Sequence, residues 1–241
     1  MNSIKKTARV SGLLYLAVAL TGPFVLIYVP GKLFVPGDAA ATAGNIAAHQ
    51  SLFRGYIAVG FISELFFVAV ALSLYCLLKR VSLPLAASMA ILVLIDAPLA
   101  FLRVANQIAT LAFVRGGQFL AAFDKSQCDE LAVLLLNVDR QGSLVSEMSW
   151  GLWLLPLGLL VFRSGFLPRF LGVWLFINGL AYLMICSAGL FSPQHLKLVS
   201  TIATPILFGE VAFVIWLLIV GAREKPSKIT NSARRNYFDF L

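Results

Sequence analysis

Residues 83–114 read LPLAASMAILVLIDAPLAFLRVANQIATLAFV, a long apolar run that carries Asp96, Arg103, Asn106 and Gln107. At about 1.5 Å per residue, a helix of this length exceeds a hydrocarbon core of roughly 30 Å. With successive residues turned by about 100°, Asp96, Arg103 and Gln107 fall within about 40° of one another, and Asn106 and Thr110 widen the stripe to roughly 100°. The stretch therefore reads as a membrane-crossing helix with one polar face.

The surrounding chain has the same character. Of its 241 residues, 60% are hydrophobic and 12% charged, against roughly 25% charged in an ordinary soluble domain. The predicted fold class is all-α: a polytopic membrane helix bundle of about six transmembrane helices, with two short outward-facing amphipathic helices. Cys76, Cys128 and Cys186 share no CxxC spacing, and the only histidines are His49 and His195. No metal site or cofactor is expected from that ligand set, and a Cys128–Cys186 disulfide has no support in the spacing. The net charge of +8 gathers at helix ends and in the C-terminal tail, not on an aromatic-interleaved surface. The expected partner is thus the lipid bilayer and not nucleic acid.

Spans are predicted at about residues 10–29, 55–78, 84–113, 142–162, 170–190 and 198–221, in one domain over 1–221; residues 222–241 form a polar basic tail expected to be mobile. Lys5, Lys6 and Arg9 ahead of the first span could also open a signal peptide. The apolar run is longer than a usual h-region and no small-residue cleavage site follows it, which favours a retained helix. Asp38, after Pro36-Gly37, is a predicted N-cap for an Ala-rich surface helix reaching about residue 50. Ser126-Gln127-Cys128-Asp129 reads as a capping box that opens a second surface helix ending near Asp139. Twelve basic residues fall on the side of the termini and six, Lys32, Arg54, Arg115, Lys125, Arg140 and Lys197, on the other. That asymmetry places both termini in the cytoplasm. The basic tail would then lie against anionic lipid headgroups, or be a solvated tail that only fixes topology.

Gly151, Gly158, Gly165, Gly172 and Gly179 recur every seven residues through the fourth span, its turn and the fifth span. Small residues on facing stripes let helix backbones approach closely in lipid, which predicts a tight antiparallel pair. The turns Arg80-Val81-Ser82-Leu83-Pro84 and Arg163-Ser164-Gly165-Phe166-Leu167-Pro168 hint at a duplicated hairpin.

With Arg115, Arg54 and Arg223 as interface markers, Arg103, Glu64 and Glu210 lie roughly 18, 15 and 20 Å deep, near the midplane. Asp96 lies further toward the cytoplasm and Glu147 in the outer half. A charge facing lipid at the centre costs roughly 2.5–3.5 kcal/mol, so all five should point inward. About 10.5 Å of helix rise separates Arg103 from Asp96, which makes Glu64 or Glu210 the better partner for Arg103. Acids left over would be protonated or balanced by a bound cation. Pro98 and Pro205 free the carbonyls of Leu94 and Thr201 close to these charges. Transporters build midplane sites from such interrupted helices. The candidate midplane site is therefore Glu64, Asp96, Arg103, Asn106, Gln107 and Glu210, with Glu147 as a secondary outer-half candidate.

Two functional classes fit these residues. One is transport or sensing of a proton, cation or small cationic solute; the other is a structural or regulatory membrane component whose charges only hold helices together. An intramembrane enzyme ranks below both. The chain has no P-loop, dinucleotide turn, HExxH or nucleophile elbow, and no spacing among Glu64, Asp96 and Glu210 singles out a catalytic dyad. Six spans are compatible with a homo-oligomer.

Three passages carry a family resemblance: ARVSGLLYL at 8–16, VPGDAAATAGNI at 35–46 with Phe53-Arg54, and FRSGFLPRFLGV at 162–173. Together they resemble the bacterial integral membrane proteins of domain-of-unknown-function family 4386, over roughly residues 6–221. The resemblance implies a bacterial inner-membrane location and six or so helices. That family carries no agreed activity, so no catalytic residue is implied.

Overall fold

The computed structural model describes residues 3–116 and 120–222; the basic tail from residue 223 onward, with the marker Arg223, lies outside them. In lipid the backbone finds no water to bond, so apolar runs satisfy their N–H and C=O groups internally, as helices. Among the described residues, six helices are long and apolar enough to cross a membrane. The first crossing is α1 (Ser3–Pro23), a π-helical turn at Phe24–Tyr28, and α2 (Val29–Leu33). The wide turn falls between Pro23 and Pro30, neither of which can donate a backbone hydrogen bond to the turn before it.

Next comes α3 (Ala39–Ala48), capped as expected by Asp38, whose carboxylate accepts the Ala41 N–H at 2.8 Å. The remaining crossings are α4 (Gln50–Leu78), α5 (Leu83–Arg115), α6 (Lys125–Ser164), α7 (Arg169–Phe191) and α8 (Leu196–Ile219).

The second surface helix expected at 126–139 does not stand as a separate element. Asp124 is the N-cap, accepting from the Gln127 N–H at 2.8 Å while Gln127 accepts from the Asp124 N–H at 3.0 Å. The helix then runs 40 residues without a break. Gly142 is tolerated in mid-helix because it faces the Arg103 stem: a Cβ there would sit 3.4 Å from Arg103 Cγ. The polar stretch around residue 140 is thus the wet face of a long helix, not a loop.

The six crossings form a ring in chain order. Each packs on the next, and α8 closes against α1 and α7. A Cβ on Gly221 would lie 3.2 Å from Lys5 Cγ, so the two described ends meet on one face of the bundle, the termini face. The glycine ladder makes the tightest seam. A Cβ on Gly158 would be 2.7 Å from the Gly172 carbonyl oxygen, and one on Gly179 would be 2.7 Å from that of Gly151. Gly165 sits at the centre of this antiparallel register, ending α6 with φ 68°. Hydroxyl clamps fix α1 on α4, Ser11 to Ser73 at 2.7 Å and Thr21 to Ser63 at 2.8 Å.

Among the described residues two large hydrophobic cores result, with a small third cluster at Ala181, Ile185 and Ala203. The one nearer the termini face includes Leu74, Leu78, Met89, Leu157, Leu160 and Leu171. The far one joins Val29, Leu33, Ile46, Phe53 and Val114 to Leu136. All three cysteines are free, so Cys128 and Cys186 do not pair.

Candidate functional site

Between the two cores lies a cavity of about 290 Å³, walled by residues from all six crossings. Its polar wall comprises Glu64, Arg103, Gln107 and Glu210, with Ser63 and the two tyrosines Tyr15 and Tyr182; Phe67, Trp150 and Trp153 are prominent in the apolar wall. Four of the residues singled out from sequence thus share one space, and Asp96, Asn106 and Glu147 stand outside its lining.

Glu210 is the acceptor for several donors. The Tyr15 hydroxyl donates to one carboxylate oxygen, Asn178 Nδ2 donates to the other at 3.4 Å, and the Tyr182 hydroxyl is turned to the same group. Both tyrosines also anchor tryptophans. Tyr15 packs on Trp153 with ring centroids 6.0 Å apart, Trp153 meets Phe67 edge-on at 5.0 Å, and Trp150 meets Tyr182 at 6.1 Å. Glu210 thereby fixes the orientation of an aromatic wall.

Arg103 pairs with neither Glu64 nor Glu210. Its Nε lies 3.3 Å from Oδ1 of Asp139. Gln107 Nε2 donates to both Asp139 oxygens at 3.2 and 3.1 Å, and the Tyr56 hydroxyl donates at 3.3 Å. The reason is the unbroken α6, which carries Asp139 alongside the polar face of α5. Three side chains then converge on one carboxylate and satisfy it, as a buried ion pair requires.

The continuous helices also change the depth of the pair. Counted at 1.5 Å per residue from the termini-face ends Leu78, Leu83 and Ile219, Glu64 lies about 21 Å, Asp96 about 20 Å and Glu210 about 14 Å along its helix, but Arg103 about 30 Å. Along its helix, Arg103 is therefore farther from the termini face than Glu64, Asp96 and Glu210 are along theirs. At 33 and 40 residues, α5 and α6 are longer than the roughly 20 residues a crossing needs.

Glu64 differs from both neighbours. Its Oε1 is buried with no hydrogen-bond partner, and the charges closest to it are those of Asp96 and Arg103. Asp96, 2% exposed, faces Ser146 and Trp150 of α6, and its Oδ1 is likewise unpartnered. Glu147 lies on an adjacent face of α6, toward Tyr182 and Cys186 of α7. Asn106 is half-buried, and its backbone carbonyl accepts the Thr110 hydroxyl at 2.9 Å.

The residues that sequence reasoning overlooked are Asp139, Tyr15, Tyr56, Tyr182 and Asn178. A signal for one group existed: Asp139, Gly142, Ser146, Trp150 and Trp153 recur at spacings of three and four, one face of a helix continuing through residue 142. The tyrosines carry no such sign, because their roles depend on which helices become neighbours.

Residues 10–221 match the family described as "Domain of unknown function (DUF4386)", and the chain belongs to that family of multipass helical membrane proteins. A stretch of 74 residues is 36% identical to an uncharacterized protein of Archaeoglobus fulgidus, covering 31% of this chain and 43% of that relative. The chain thus spans less than half the length of the relative it matches. No solved structure matches it.

Proposed function

We propose that the protein binds a cation in this cavity and uses it for transport or sensing of a proton, a cation or a small cationic solute. The observation that carries this is Glu64, a carboxylate with a buried, unpartnered oxygen in a space walled by every crossing. Arg103 is neutralised by Asp139, which leaves Glu64 and Glu210 as cavity carboxylates without a cationic partner among the described residues. An ionised group in such a place is costly unless a proton or cation balances it. The Arg103–Asp139–Gln107–Tyr56 network favours a purely structural role for its own members, which narrows the functional role to Glu64 and its surroundings. We read the site as non-enzymatic, with the cavity carboxylates Glu64 and Glu210 on different helices and Glu210 held by Tyr15 and Asn178.

The setting we infer is the bacterial inner membrane, with both termini in the cytoplasm and the basic tail against anionic headgroups. A homo-oligomer is compatible with it. The test uses purified protein in liposomes enclosing a pH-sensitive dye, under gradients of sodium, potassium, ammonium or guanidinium. Wild type is expected to move protons in response to at least one of these, and Glu64→Gln to respond to none. A wild type that neither binds nor exchanges any of them overturns the proposal and leaves the structural role.

A further inference from the structure

Resting on the cation reading above, we propose that the cavity takes a small organic ammonium ion with alkyl or aryl substituents, its charge set against Glu64 and its apolar groups against the aromatic wall. Size is the first argument. At about 290 Å³ the cavity is close to the lower end of small-molecule sites, roughly 300–1,000 Å³, the space of a compact organic solute and far more than a bare metal ion fills.

The wall chemistry is the second argument. Tyr15, Phe67, Trp150, Trp153 and Tyr182 all face the cavity, and their contacts at 5.0 to 6.1 Å make two connected aromatic groups. Faces of Trp and Tyr attract substituted ammonium ions through the ring quadrupole, most strongly where water is excluded. A hard metal cation wants six to eight oxygen ligands. Among the described residues no group of three or more His, Cys, Asp or Glu could hold a metal.

The third argument is a division of labour between the carboxylates. Glu210 is occupied by Tyr15 and Asn178 and orients the rings, while Glu64 lines the same cavity and its buried Oε1 has no hydrogen-bond partner. The ammonium centre therefore belongs at Glu64, with Glu210 as a positioning residue. An apolar way in is also present, because the cavity-lining residues Leu26, Leu65 and Val211 are 52%, 50% and 42% exposed on α1's extension, α4 and α8. A cation with a hydrocarbon body can arrive along that bilayer-facing rim, where a hydrated metal ion cannot.

The experiment is equilibrium binding to the purified full-length protein in detergent, with tetraethylammonium, methylammonium and sodium as probes. Tetraethylammonium is expected to bind about tenfold tighter than methylammonium, roughly 1.4 kcal/mol, because its ethyl groups bury apolar surface against the rings and its charge is less strongly hydrated. Its affinity should fall as pH is lowered, because protons compete for the same carboxylate. Trp150→Leu should remove that preference, and Trp150→Phe should restore part of it. In wild type alone, tetraethylammonium should slow modification of Glu64 by dicyclohexylcarbodiimide, read by mass spectrometry of the peptide, which keeps the test free of any misfolding variant. Glu64-dependent binding of sodium with no preference for tetraethylammonium overturns this inference and leaves the general cation site standing. Binding of none of the probes, with unprotected Glu64, overturns this inference, and the cation reading falls with it only if the liposomes also respond to none of the four gradients.

Discussion

The α6–α7 seam and the cavity wall are built from the same kinds of helix, yet they treat space in opposite ways. In the seam, glycines at 151, 158, 172 and 179 bring backbones so close that an added Cβ would lie within 2.6–2.8 Å of the facing carbonyl oxygens. At the cavity, six helices stand around an opening of about 290 Å³ whose lining includes Glu64, Tyr15, Trp150 and Trp153. Lipid gives no hydrophobic drive for helices to associate, so the seam is held by dispersion at close range. Filling the cavity in the same way would have been within reach of this chain. It is instead lined by charge and rings, the feature on which the proposed cation site rests.

This contrast can be broken from either side. The largest effect is expected at the Arg103–Asp139 latch between the cavity and the far core. Asp139→Ala leaves Arg103 unpaired and should cost roughly 3–5 kcal/mol in thermal or denaturant unfolding; the charge-free double variant Arg103→Met, Asp139→Leu should recover most of it. In the seam, Gly158→Val drives a side chain into the Gly172 carbonyl and should cost about 2–3 kcal/mol, with α6–α7 crosslinking lost. In the cavity, Tyr15→Phe removes a hydroxyl donor to Glu210 and should cost about 1.5 kcal/mol, while weakening ligand binding through the loosened Trp153. The smallest stability effect belongs to Glu64→Gln, expected within about 1 kcal/mol of wild type because the replaced oxygen has no partner to lose. It should nonetheless abolish cation-dependent proton movement. A Glu64→Gln variant as unstable as Asp139→Ala would instead make Glu64 part of the scaffold.

Much of the dry half was legible in the sequence. The heptad of glycines centred on Gly165 maps onto the antiparallel seam because close packing in lipid needs small residues at a fixed spacing. The polar face of α5 was equally plain, since Asp96, Arg103 and Gln107 share one side of any helix over residues 83–114. What those residues touch was not. The sequence points Arg103 to an acid at similar depth because the chain around Arg140-Gln141-Gly142 looks like a loop; only when α6 runs through it does Asp139 arrive beside Gln107. The aromatic wall was hidden because Tyr15, Trp153 and Tyr182 come from three helices, and nothing local brings them together.

The most direct measurement is the thermal midpoint of the purified protein titrated with tetraethylammonium, compared between wild type, Glu64→Gln and the Arg103→Met, Asp139→Leu double variant. A ligand that binds only the folded state at a hundred times its dissociation constant adds about 2.7 kcal/mol of stability. Wild type and the double variant should therefore climb together while Glu64→Gln stays flat. A midpoint that rises equally in Glu64→Gln, or in none of the three, would contradict a cation seat at Glu64.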